Sequence, residues 1–120
     1  MGWLGHCAGD AAMPLHDSIH HDGWVGDNPK GYTRDPKIHD PFEDGFPNLI
    51  EVSEADVLKY VSKTPRHFDD PWQATLDHSL ESRQHVEDVY RLDLRHAFEN
   101  KDDAQAHECS PNASRPAPGK

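Results

Sequence analysis

Basic residues are scarce in this chain: 12 Lys+Arg stand against 22 Asp+Glu, a formal charge of −10 over 120 residues with His neutral. That balance argues against a nucleic-acid binder working through a basic face, because counterion displacement needs clustered Lys and Arg. A nucleic-acid enzyme whose site supplies its own cations stays open. Apolar residues are also few, at 34%, against about 45–50% in a globular domain on a scale that also counts Gly. The expected core is therefore modest, in a single domain at most. No apolar run approaches the roughly 20 residues of a membrane span. The opening Met1-Gly2-Trp3-Leu4-Gly5-His6 has neither the basic nor the long apolar stretch of a signal peptide. His6 stands where a myristoylation motif takes Ser or Thr. Two cysteines, Cys7 and Cys109, permit at most one disulfide and assign no redox compartment.

What the chain has in excess is histidine, 10 residues, together with 10 prolines and 8 glycines. The first 13 residues are small and apolar apart from His6 and Asp10, which reads as a tightly packed, buried helix that Pro14 kinks or ends. Residues 14–50 are punctuated by five prolines and four glycines. This leaves a long turn-rich loop between the first and later helices, with a short helical turn around Ile38–Asp44. A structureless stretch of that length within a domain is usually functional. Ser53, with Asp56 three positions on, opens a helix over 53–63 whose apolar stripe is Val57, Leu58 and Val61. Asp70-Pro71 opens a second helix running to Glu99. Its stripe is Trp72, Leu76, Leu80, Val86, Tyr90, Leu94 and Ala97/Phe98, with the stem of Arg83 lying along it. From Lys101 to the end, charged and small residues read as a disordered tail.

The chemistry concentrates in two pairs. His6 and Asp10 stand four apart, so a helix presents an imidazole and a carboxylate on one face. Pro14 bends the chain, and His16 follows the bend. His39 and Glu43 repeat the four-residue spacing. Imidazole and carboxylate are zinc ligands. A lone His/Asp pair is more often a hydrogen-bonded core pair, but two ionisable groups buried in an apolar dozen residues are expensive without a cation beside them. His20-His21-Asp22-Gly23-Trp24, between the two pairs, is equally well a solvated turn. His67, His78, His85, His96 and His107 read as surface or satisfied histidines.

The frame His6-x3-Asp10-x5-His16, with Gly9 before the Asp and Pro14-Leu15 before the last His, resembles the central signature of the zinc-dependent phospholipase C and single-strand-specific nuclease superfamily. The resemblance implies an all-α, helical metallohydrolase-type fold. It places His6 and Asp10 on a zinc pair, with Asp10 bridging and orienting the attacking water as the catalytic residue. It places His16, His39 and Glu43 on a third zinc. His39 follows His16 by 23 positions, a long spacer as in the nuclease branch, whereas Glu43 and the preceding Phe42 are closer to the phospholipase branch. The likeness covers residues 2–44 well and the later helices less.

The family's remaining zinc-pair ligands lie upstream of the signature, so the chain reads as a partial, C-terminal portion of such an enzyme over residues 1–100. Up to three zinc ions belong to the full site, and one ligand set is complete in this chain. The implied function is phosphodiester hydrolysis by metal-bound water, of the phospholipase C type. The alternatives are a single-strand-specific nuclease, a non-catalytic zinc-binding remnant, or a helical interaction module using the Trp72–Phe98 stripe. The isolated chain is expected to bind one zinc and to hydrolyse weakly or not at all. The expected partners are a phospholipid or single-stranded nucleic acid, and further copies of the chain through exposed apolar helix faces. The resemblance implies secretion.

Overall fold

The computed structural model describes residues 2–109. Its helices are α1 (Gly2–Ala12), α2 (Phe46–Leu49), α3 (Glu54–Leu58), α4 (Pro71–Arg83), α5 (Val86–Leu94) and α6 (Ala104–Cys109). Pro14–Asp17, Pro36–Ile38 and Ala97–Glu99 form 3-10 turns, and Asp40–Gly45 forms a π-helical turn. No strand occurs among the described residues, so the fold is all-α. No helix among them is long and apolar enough to cross a membrane.

The boundaries follow local chemistry. Pro14 forces Met13 into an extended conformation (φ −88°, ψ 112°), which ends α1 and opens the first 3-10 turn. Ser53 and Asp56 form a reciprocal capping box at the start of α3. Asp70 accepts from the Gln73 N–H at 3.0 Å, and Pro71 takes the first position of α4, where its missing N–H is not needed. The end of α2 satisfies two carbonyls at once: Glu51 N–H donates to Asn48 (3.1 Å) and Val52 N–H to Pro47 (3.1 Å). That closure places Glu51 in the left-handed region at φ 53°.

The core is built largely from the turn-rich segment. Met13, Leu15, Tyr32, Ile38, Phe42 and Phe46 pack against Val86, Val89, Tyr90, Leu92, Ala97, Phe98 and Ala106. Phe98 meets Phe42 and Phe46 with ring centroids 5.6 and 5.9 Å away, and Phe46 receives the edge of His107 at 5.1 Å. Ser82, buried in the last turn of α4, donates to the Ala12 carbonyl at 2.9 Å and so ties α4 to the end of α1.

Four expectations are corrected. Helix α1 is not buried: none of its residues is, and Trp3 is 86% exposed. The long helix after Asp70 breaks at Gln84-His85 into α4 and α5, then turns through His96 in the left-handed region. Its stripe divides: Val86, Tyr90, Ala97 and Phe98 are buried, while Trp72, Leu76 and Leu80 before the break and Leu94 at the end of α5 are exposed. Arg83 is the last residue of α4. Lys101 does not begin a tail. Asp103 receives Arg95 through two contacts (2.6 and 2.8 Å) and accepts from the Ala106 N–H at 3.0 Å, which caps α6. The remainder of the expected tail lies outside the described residues. Val57, Leu58 and Val61 are exposed, and α3 stops at Leu58.

Residues 18–35, without regular structure, are held by side chains bonding to backbone. Asn28 clamps Tyr32 by donating to its carbonyl (2.7 Å) and accepting from its N–H (2.8 Å). Arg34 donates to the Trp24 and Gly26 carbonyls at 3.0 and 2.7 Å. Gly23 is buried at φ +105°, and a Cβ there would lie 2.4 Å from the Arg34 carbonyl oxygen, so no side chain fits. His20 stacks on Trp24 (centroids 3.9 Å apart, 4° between planes), and its carbonyl accepts from the Tyr90 hydroxyl.

The Nδ1 of His20 accepts from the Val25 N–H at 3.0 Å, so a proton on that nitrogen would remove the bond. Burial, and secondarily the positive charge of Arg83, push the His20 pKa below its ordinary 6.5. The unfolded chain therefore binds the proton more readily, and this loop loses stability as pH falls below 6.5, with none lost above it. In a Trp3→Phe/Trp72→Phe variant, Trp24 emission is expected to hold steady from pH 8 to about 6.5 and shift on further acidification. A signal flat down to about pH 4 contradicts the stacked, neutral His20.

Candidate metal centre

The five candidate side chains come from three local elements. α1 supplies His6 and Asp10, one turn apart, with His6 Nε2 3.1 Å from Asp10 Oδ2. The 3-10 turn forced by Pro14 folds His16 back toward the helix, where its Nδ1 lies 3.2 Å from Asp10 Oδ1. His39 joins the turn Pro36–Ile38, capped by the Asp35 side chain, to the π-helical turn carrying Glu43. Phe42 lies buried beside Glu43 and Phe46 follows one turn later, so packing in the core fixes the segment that presents His39 and Glu43.

The structure brings His16, His39 and Glu43 together. One ligand atom from each lies within 4.8 Å of the others, and the two imidazole rings are 5.2 Å apart at 37°. Two imidazoles and a carboxylate suit a borderline cation, and three protein ligands leave a fourth position open. Ligand atoms about 2.1 Å from a tetrahedral ion stand about 3.4 Å apart, so the set closes by roughly an ångström around an ion. Glu43 and His16 are exposed enough to make that movement by side-chain rotation. This group can hold a metal ion.

His6 and Asp10 stand on the same side but outside that group. With Gly5, Gly9, Ala12, Met13, Phe42 and Glu43 they line a cavity of about 480 Å³. A Cβ at Gly5 or Gly9 would meet nothing within 4 Å, so these glycines leave space rather than relieve a clash. The expectation of a buried ionisable pair is corrected with the helix that carries it. The His6 side chain is 69% exposed, and the desolvation argument for a cation between His6 and Asp10 lapses. No Lys or Arg lines the cavity among the described residues.

Sequence reasoning left Asp22 aside. Its carboxylate lies 3.1 Å from Nδ1 of His21 and 3.9 Å from Nδ1 of His39. The adjacent histidines part company: His20 enters the aromatic cluster and His21 stays exposed. Asp17, beside His16, holds a buried Oδ2 without a hydrogen-bond partner among the described residues. His85 lies 3.4 Å from Asp88, His107 contacts the Lys101 carbonyl at 2.7 Å, and His67, His78 and His96 are exposed.

No family model, curated protein or solved structure matches this chain.

Proposed function

We propose that the chain binds zinc through His16, His39 and Glu43 and acts as a phosphodiester hydrolase of the phospholipase C type. The observation that carries this reading is the convergence of three ligand-type side chains, two of them separated by 23 positions, to within 4.8 Å. The motif resemblance assigns the same three residues to one ion. A zinc ion there supplies Lewis-acid charge and lowers the pKa of a water toward about 7. The rest falls to the chain's own groups. Asp10, between His6 and His16, holds both imidazoles in place through its two oxygens. The cavity beside it admits a substrate group over the glycine side of α1. Its lining is acidic and lacks a cation among the described residues, so a phosphodiester enters only where a metal reverses the local sign.

Purified chain, loaded with zinc, is assayed on phosphatidylcholine vesicles, single-stranded DNA and a chromogenic phosphodiester. Slow, zinc-dependent release of a phosphorylated headgroup from the vesicles, lost on chelation and in Asp10→Asn, is the expected result. Cleavage of DNA alone moves the assignment to the nuclease type. Zinc binding with turnover of none of the three reduces the function to metal binding.

A further inference from the structure

We propose that Asp22 is a positioning residue for His39, holding its Nδ1 so that Nε2 faces the metal; this rests on the zinc reading above. The two imidazoles of the metal set share a pattern. Each has a carboxylate facing Nδ1, Asp10 at 3.2 Å from His16 and Asp22 at 3.9 Å from His39. A metal-ligating imidazole uses one nitrogen for the ion and donates the other N–H, commonly to a carboxylate, which sets the tautomer and the ring plane. Asp22 comes from the loop before Gly23, whose buried left-handed turn against the Arg34 backbone fixes where that loop passes the site. The His39 side chain is 21% exposed and so held by its surroundings, whereas the Asp22 carboxylate is 60% exposed and free to rotate toward it. In the structure Asp22 stands closer to His21, at 3.1 Å. With an ion on Nε2, the His39 proton would sit on Nδ1, the nitrogen that faces Asp22.

The test is zinc affinity by competition with a chromogenic chelator, on the full chain, for wild type, Asp22→Asn, Asp22→Glu and His39→Ala. Asp22→Asn is expected to weaken zinc about 10–100-fold, with Asp22→Glu recovering part of the loss. Far-ultraviolet circular dichroism of the metal-free variants is expected to match wild type, since the carboxylate is exposed. Cobalt substituted for zinc gives a visible spectrum that Asp22→Asn alters through the geometry at His39, a signal that a merely structural role leaves unchanged. Affinity in Asp22→Asn equal to wild type, while His39→Ala abolishes binding, overturns the role of Asp22 and leaves the metal site standing. Absence of zinc binding in the wild type overturns both.

Discussion

Alanine at His16, His39 or Glu43 is expected to abolish stoichiometric zinc binding, lowering affinity by about a hundredfold or more at each position. The magnitude follows from what each residue contributes. Loss of an outer carboxylate from a metal site costs about 10–100-fold, and loss of a direct ligand exceeds that. A hundredfold is about 3 kcal/mol, comparable with one well-placed ligand of three. His6→Ala is the informative contrast. His6 lies outside the group that can hold the ion, so its removal is expected to leave one zinc per chain with affinity changed only through Asp10. Isothermal titration of the metal-free chain with zinc, with and without each substitution, measures stoichiometry and affinity together. If neither His39→Ala nor Glu43→Ala alters the stoichiometry, the assignment of this ion is wrong.

Phe46→Ala is expected to cost about 3–5 kcal/mol of folding stability, a large share of the roughly 5–15 kcal/mol available to a domain. Phe46 is fully buried, and its ring fills the space between Phe98 (5.9 Å) and His107 (5.1 Å). Removing it opens a cavity at the meeting point of the π-helical turn, the Ala97–Glu99 turn and α6. Trp72→Ala supplies the comparison: Trp72 heads the apolar stripe read from the sequence, yet it is 72% exposed. Its loss is expected to change stability by no more than about 0.5 kcal/mol. Urea denaturation of both variants decides between the two cores, and a larger loss for Trp72→Ala than for Phe46→Ala would sink the one described above.

The features legible in the sequence are those with a local cause. Pro14, the Ser53/Asp56 box and the Asp70-Pro71 start act within four residues, so their positions stand in the structure as read. The helical turn near Ile38–Asp44 belongs to the same kind, whereas the all-α class was implied by the motif resemblance, and the helices described bear out that class. The burial of α1 did not follow from its composition, because an apolar face records what a helix can bury and not whether another element covers it. The break at Gln84-His85 had no proline or glycine to announce it; before it α4 runs beside α1 and the Pro14–Asp17 turn, and after it α5 packs against the Ala97–Glu99 turn and α6. Ala106 is buried and α6 is capped by Asp103, yet the surrounding residues read as tail because a single buried alanine carries no periodicity. The order of residues 18–35 was hidden for a different reason. Asn28 and Arg34 supply it through bonds to backbone that no hydrophobic pattern records. In the site, the four-residue spacings were visible, whereas Asp22 meets His39 only through the path of a loop.

Because α1 buries none of its side chains, the two sets of candidate ligands are anchored differently. His39 and Glu43 sit on a segment anchored by Phe42 and Phe46 in the core. Asp10 sits on a helix held at its C-terminal end, where Ser82 takes the Ala12 carbonyl and Pro14 and Leu15 are buried. An ion held by His39 and Glu43 would reach α1 through His16 and Asp10, adding a tie to a helix that packs beside α4 and the Pro14–Asp17 turn. The ordering entropy of that helix is then drawn from the metal's own binding energy. Affinity and helix order would then rise and fall together.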